Sequence, residues 1–130
     1  MTRILIVEDE DFLMKALIDN FEAEGFEVES AANGAAAVEH IEKRKPELVL
    51  LDLLLPRKDG FEVLREMKAN PDWALIPVVV LSNLGGDEQI KRALEMGADD
   101  YFVKSQHPIE EVIEKVQEYI GGNKSAKNQS

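Results

Sequence analysis

The chain reads as an α/β domain: a doubly wound sandwich with a central five-stranded parallel sheet and helices on both faces. Three observations predict it. Short aliphatic runs alternate with stretches of helical periodicity, five of each, from Arg3 to Ile120. One run, Leu48 to Leu51, is aliphatic at every position, as in a strand buried on both faces. Four of the five runs end in a reactive side chain: Glu8 with Asp9, Asp52, Ser82 and Lys104. In a parallel sheet such ends share one rim, where ligands bind at the point of reversal of strand order.

Arg3 to Val7 is a strand, and four acids, Glu8 to Asp11, follow it without a break. Leu13, Ala16, Leu17 and Phe21 share one face of a helix from Asp11 to Glu24. Asp9 or Asp11 is placed to cap it and Gly25 to end it. Phe26 to Ser30 alternates apolar with acidic residues, the mark of an edge strand with one wet face. Asn33-Gly34 turns the chain into a short helix, Ala35 to Lys43, that packs Ala37, Val38 and Ile41. The central stretch Glu47 to Gly60 comes next. Asp52 follows its aliphatic run directly, Pro56 stops regular structure, and Asp59-Gly60 supplies the turn before a helix bearing Phe61, Leu64 and Met67.

That helix ends near Asn70-Pro71, and Trp73 and Leu75 are expected to cover the core from the loop beyond. A strand from Val78 to Leu81 leads to Ser82 and a loop, Asn83 to Gly86. A helix from Asp87 to Met96 is expected to bury Ile90, Ala93 and Leu94, with Gly97 as its stop. Asp100 to Val103 is the last strand, with Lys104 behind it. After Pro108, the stripe Ile109, Val112, Ile113, Val116 and Ile120 defines the final helix. Residues 1–120 thus form one domain, and 121–130 a polar tail or the start of a linker.

Composition narrows the function. Of 130 residues, 26 are acidic and 15 basic, a net charge of −11. No basic footprint for nucleic acid exists, so direct binding to it is not expected. The absence of cysteine removes disulfides and Cys-ligated zinc and fits a reducing compartment. No apolar run approaches the ~20 residues of a membrane span, and the start lacks a signal-peptide layout. A cytoplasmic location is expected.

The rim residues carry the chemistry. Carboxylates gathered at hydrogen-bonding range repel, each pair by on the order of 4 kcal/mol at 4 Å and an effective dielectric near 20. A divalent cation relieves this, and a small all-oxygen set with room for water suits Mg²⁺. Asp52 is then a candidate nucleophile for an aspartyl phosphate. Lys104 is a point charge for the phosphoryl oxygens and Ser82 a hydroxyl for one of them. His40 and His107 have no ligand spacing to each other or to the acids and read as surface residues.

With these residues in view, the chain resembles the receiver domain of two-component response regulators over about residues 2 to 120. The resemblance lies in VED at Val7 to Asp9, LDLLLPRKDG at Leu51 to Gly60, LSN at Leu81 to Asn83 and YFVK at Tyr101 to Lys104. It implies a flavodoxin-like sheet of order 2-1-3-4-5. It implies that Asp52 accepts phosphate from a sensor histidine kinase or phosphotransfer protein. It makes Asp9, Asp52 and the Leu54 carbonyl direct Mg²⁺ ligands, with Glu8 acting through a bound water. Ser82 and Tyr101 are the implied switch pair, whose movement alters a face read by a downstream protein. The chain would then catalyse only its own phosphotransfer and autodephosphorylation, as a monomer or a phosphorylation-dependent dimer.

Four positions depart from the family pattern. Ser105 stands where proline usually follows the lysine, Asn83 replaces a small residue, and Leu54 and Leu84 replace polar residues that help position hydrolytic water. Slow loss of phosphate is the expectation from those leucines. The competing readings are a receiver-like docking module indifferent to phosphate, a phosphatase with an aspartyl nucleophile, and a flavin binder. The phosphatase would want an aspartate where Leu54 stands, and four acids after the first strand would repel a flavin phosphate.

Overall fold

The computed structural model describes residues 2–121. Five strands, β1 (Arg3–Val7), β2 (Glu27–Ala31), β3 (Leu48–Leu51), β4 (Val78–Ser82) and β5 (Asp100–Val103), alternate with five helices. The helices are α1 (Asp11–Ala23), α2 (Gly34–Lys43), α3 (Gly60–Ala69), α4 (Asp87–Glu95) and α5 (Ile109–Val116), the last continued by a π-helical turn, Gln117–Gly121. All strand pairs are parallel, in the order β2-β1-β3-β4-β5. The chain therefore has the flavodoxin-like sheet order expected of it. The proposed tail, apart from Gly121, lies outside the described residues.

Burial explains which runs became strands. All four residues of β3 are buried, because β1 and β4 flank the strand and helices cover both faces. Alternate β3 residues feed two cores. Val49 and Leu51 join Ala37, Ile41, Leu64 and Met67 on one face, while Leu48 and Leu50 join Leu17, Phe21, Val112 and Val116 on the other. The edge strand β2 begins one residue later than expected, because the Phe26 N–H is taken by the Phe21 carbonyl in the turn after α1. Its wet face is covered by ion pairs: Glu27 meets Arg44 at 2.9 Å, and Glu29 meets His40 at 3.2 Å.

Helix ends follow local chemistry, with one correction. Gly25 and Gly97 leave α1 and α4 at φ +95° and +113°, which side-chain-bearing residues resist. Asn33 caps α2 by accepting the Ala36 N–H, and Asp59 with Glu62 forms a capping box on α3. The N-cap of α1 is Glu10, not Asp9 or Asp11, and its side chain makes no capping bond because it is engaged elsewhere. Two burial expectations also fail. Leu94 is 43% exposed, since α4 seats only Ala93 fully in the core. Leu75 is 94% exposed, while Trp73, in the same turn, packs on the core. That turn is closed by Trp73 and Ala74 N–H bonds to the Asn70 carbonyl, and Ile76 N–H bonds to the Trp73 carbonyl.

Candidate functional site

The sheet ladder runs one residue past β1, β3 and β5, and this aligns the site. The Glu8 N–H bonds to the Ala31 carbonyl, Asp52 N–H to Val7 and Lys104 N–H to Ser82, all at 2.9–3.0 Å. Residues 8 and 52 therefore leave the adjacent strands β1 and β3 at one level, and residue 104 leaves β5 beyond β4. Their side chains converge: Lys104 Nζ lies 3.0 Å from Glu8 Oε1 and 2.9 Å from Asp52 Oδ2. The second oxygen of Asp52 accepts the Leu54 N–H at 3.0 Å. Glu8 and Asp52 are 2% and 3% exposed, so this is charge held out of water and compensated in place.

Glu10 is the residue that sequence reasoning missed. Given no role within the acid run, it reaches Lys104 Nζ at 2.8 Å. The Glu8 carboxylate accepts the Glu10 N–H at 3.0 Å, which folds the chain back and brings the Glu10 side chain over the lysine. Asp9 lies between them and is exposed. A run of four acids carries no periodicity that would tell these positions apart. Glu8, Glu10 and Asp52 each offer a carboxylate oxygen within 4.8 Å of the others. Three carboxylates and one ammonium leave two negative charges in excess, and a hard, all-oxygen donor set of that charge fits a divalent cation such as Mg²⁺.

Electrostatics follow from this crowding. Burial lifts the Glu8 carboxyl above the usual glutamate range, and the Glu10 N–H and Lys104 offset it only in part. Burial alone would lower Lys104, but the hydrogen bonds it donates to Glu10, Asp52 and Glu8 hold it above the usual lysine range, so it stays charged.

The hydroxyls sit one and two strands away. Ser82 is fully buried at the end of β4, and its Oγ accepts the Leu84 N–H at 3.3 Å. Tyr101 on β5 turns inward, half-buried, and its hydroxyl donates to the Leu84 carbonyl. Both groups thus hold the same residue of the β4–α4 loop. Burial first, and the Asp52 charge second, raise the Tyr101 phenol above its usual value. Leu54 and Leu84 line one groove beside the acids, with Leu53, Leu55, Asp59 and Phe61. The peptide joining Lys104 to Ser105 is trans, like the others described. His40 and His107 stay out of the carboxylate group. His40 pairs with Glu29, and the His107 ring packs edge-on against Phe102 at 5.0 Å. No described helix is long and apolar enough to cross a membrane.

Comparison with known proteins agrees with this geometry. The family model described as "Response regulator receiver domain" matches residues 4–117. The phosphate regulon transcriptional regulatory protein PhoB of Rhizobium meliloti is 38% identical over 80% of this chain. The chain spans 46% of that protein's length, so it matches less than half of it. The signal receiver domain of a histidine kinase from Syntrophus aciditrophicus superposes with a TM-score of 0.86 at 32% identity, covering 100% of this chain and 96% of that one. The receiver domain of the sensor histidine kinase PA1611 from Pseudomonas aeruginosa, solved with magnesium coordinated in its active-site cleft, gives 0.83 at 27%, covering 92% and 98%. A matching family model over most of the chain, the sheet order and the acid–lysine rim together place this protein among the receiver domains of response regulators, the phosphorylation-dependent signalling modules of two-component systems.

Proposed function

We propose that Asp52 is the phosphoacceptor of this receiver, supplied by a sensor histidine kinase or phosphotransfer protein. The observation that carries this is the meeting of Glu8, Asp52 and Lys104 at one point of the rim. An Asp52 carboxylate oxygen attacks the phosphorus, the new O–P bond forms as the P–N bond to the donor imidazole breaks, and the imidazole takes up a proton. Lys104 exchanges its contact with the carboxylate for one with the arriving phosphoryl oxygens. Mg²⁺, when bound, supplies charge neutralisation for the transferring group. Glu8 and Asp52 belong both to the ligand set implied by family resemblance and to the observed carboxylate group. Asp9, adjacent and exposed, and the Leu54 carbonyl complete the implied set. Ser82 donates to the arriving group and thereby loosens its hold on Leu84, which Tyr101 shares. The face around β5 then changes for a downstream protein partner. The domain works in the cytoplasm, turns over no separate substrate and makes no direct contact with nucleic acid. No observation favours the docking, phosphatase or flavin readings.

The test is incubation with acetyl phosphate and Mg²⁺, read by intact mass over time. The wild type gains one phosphoryl mass and Asp52→Ala gains none; an equal gain in Asp52→Ala refutes the assignment. After removal of the donor the adduct is expected to persist, because apolar Leu54 and Leu84 line the groove next to Asp52. Decay within a few seconds would overturn that second expectation.

A further inference from the structure

We infer that the first turn of α2 is the seat of the loop that carries Asp52, and that Gly34 is a positioning residue for it. This rests on the acceptor reading only for its functional meaning. The loop 52–59 runs from the end of β3 to the start of α3. A Cβ built on Gly34 would stand 2.7 Å from the Lys58 carbonyl carbon and 2.8 Å from its Cβ, and closer still to its carbonyl oxygen. The obstacle is mostly backbone, so no rotamer change relieves it. On the opposite side, a Cβ on Gly60 would stand 2.5 Å from Leu53 Cα and closer to the Asp52 carbonyl oxygen. Two missing side chains thus let the loop fit between α2 and the start of α3.

Neither wall yields easily. Ala37 and Ile41 of α2 are fully buried, and Arg44, just after it, is paired to Glu27. The far end of the loop is clamped by the Asp59–Glu62 capping box and by the Lys58–Glu66 ion pair. Pressure applied at Lys58 therefore passes back along the chain to Leu53 and Leu54. Two hydrogen bonds hold that segment in register with the site: Gly60 N–H to the Leu53 carbonyl, and Leu54 N–H to Asp52 Oδ1, both 3.0 Å. A methyl group at position 34 loosens these two bonds and misplaces the Asp52 carboxylate, with no contact to either oxygen.

The experiment is native-state hydrogen exchange on the metal-free protein, comparing Gly34→Ala with Ala37→Gly. The second variant weakens the same helix at a position away from Lys58. In Gly34→Ala, protection of the Leu54 and Gly60 amides falls by roughly tenfold beyond the loss of global stability measured by denaturation. In Ala37→Gly those amides follow the global change alone. The rate of phosphorylation by acetyl phosphate falls in the first variant and is retained in the second. Protection of Leu54 and Gly60 that tracks global stability in both variants overturns the proposal. Should Gly34→Ala fail to fold, Gly34→Ala combined with Glu66→Gln is read instead, because untying Lys58 lets the loop lift. Unchanged protection at the two amides in that double variant also overturns it. The Asp52→Ala mass experiment addresses the acceptor reading and the metal-free exchange addresses the seat, so the two can fail separately.

Discussion

Single residues decide how this site is held. Arg57 is the one described non-glycine residue at positive φ, +71°, and it sits in the loop after Asp52 with its side chain exposed. A left-handed conformation costs a side-chain-bearing residue roughly 1–2 kcal/mol, whereas glycine at the same place loses about 0.5–1 kcal/mol through unfolded-chain entropy. Relief of strain is the larger effect. Arg57→Gly is therefore expected to stabilise the protein by about 0.5–1 kcal/mol, seen as a higher urea midpoint with unchanged slope. A lower midpoint would show that the Arg57 side chain contributes more than its backbone loses. At this scale the sequence was only partly legible. Asp52, Glu8 and Lys104 could be read because each directly ends an aliphatic strand. Glu10 could not, since its role depends on a turn made by the Glu8 carboxylate on its own neighbour's neighbour.

Elements were legible where burial imposes a period. The stripe of α5 is visible because Val112, Ile113 and Val116 all enter the core. Leu48 to Leu51 is visible because two covered faces leave no place for a polar residue. The errors lie where an element touches the core through few residues. α4 seats little more than Ala93, so periodicity alone overstates its footprint and Leu94 was misplaced. The α3–β4 turn has no period at all, and the inward Trp73 and outward Leu75 follow from its hydrogen bonds. The capping box of α3 carries a prediction at this scale. Asp59 accepts the Glu62 N–H at 2.9 Å, while Glu62 accepts the Asp59 N–H at 3.1 Å. Asp59→Ala orphans one helix donor and is expected to destabilise by about 1 kcal/mol, measured by denaturant unfolding. No loss of stability would mean that solvent replaces the cap without penalty.

At the scale of the whole molecule, the parallel order β2-β1-β3-β4-β5 gathers groups 96 residues apart in sequence, as Glu8 and Lys104 are. That gathering was legible before the fold was seen, because alternation of strand and helix leaves one rim for all strand ends. The molecule as a whole also has an alkaline limit. Tyr101 and Tyr119 are its two tyrosines, and both phenols are raised, chiefly by burial, with acids adding to the shift. The folded state thus holds these protons more tightly than the unfolded chain. The resulting stabilisation is present in full below about pH 10, the unperturbed phenol value, and is lost as pH rises through the folded values. Tyrosinate absorbance is expected to appear above pH ~10 in the folded protein, with thermal stability declining across the same window. Asp52→Asn lowers the Tyr101 component by removing a nearby negative charge; a titration identical to wild type would refute the coupling.

The bond from Tyr101 to the Leu84 carbonyl ties the outermost strand to a loop that Ser82 holds from the other side. Linkage makes such a tie work in both directions. If Asp52 carries phosphate as proposed, a protein that binds β5 only while the tyrosine is folded inward is itself an effector of Asp52. By whatever factor phosphate tightens that complex, the complex tightens the grip on phosphate.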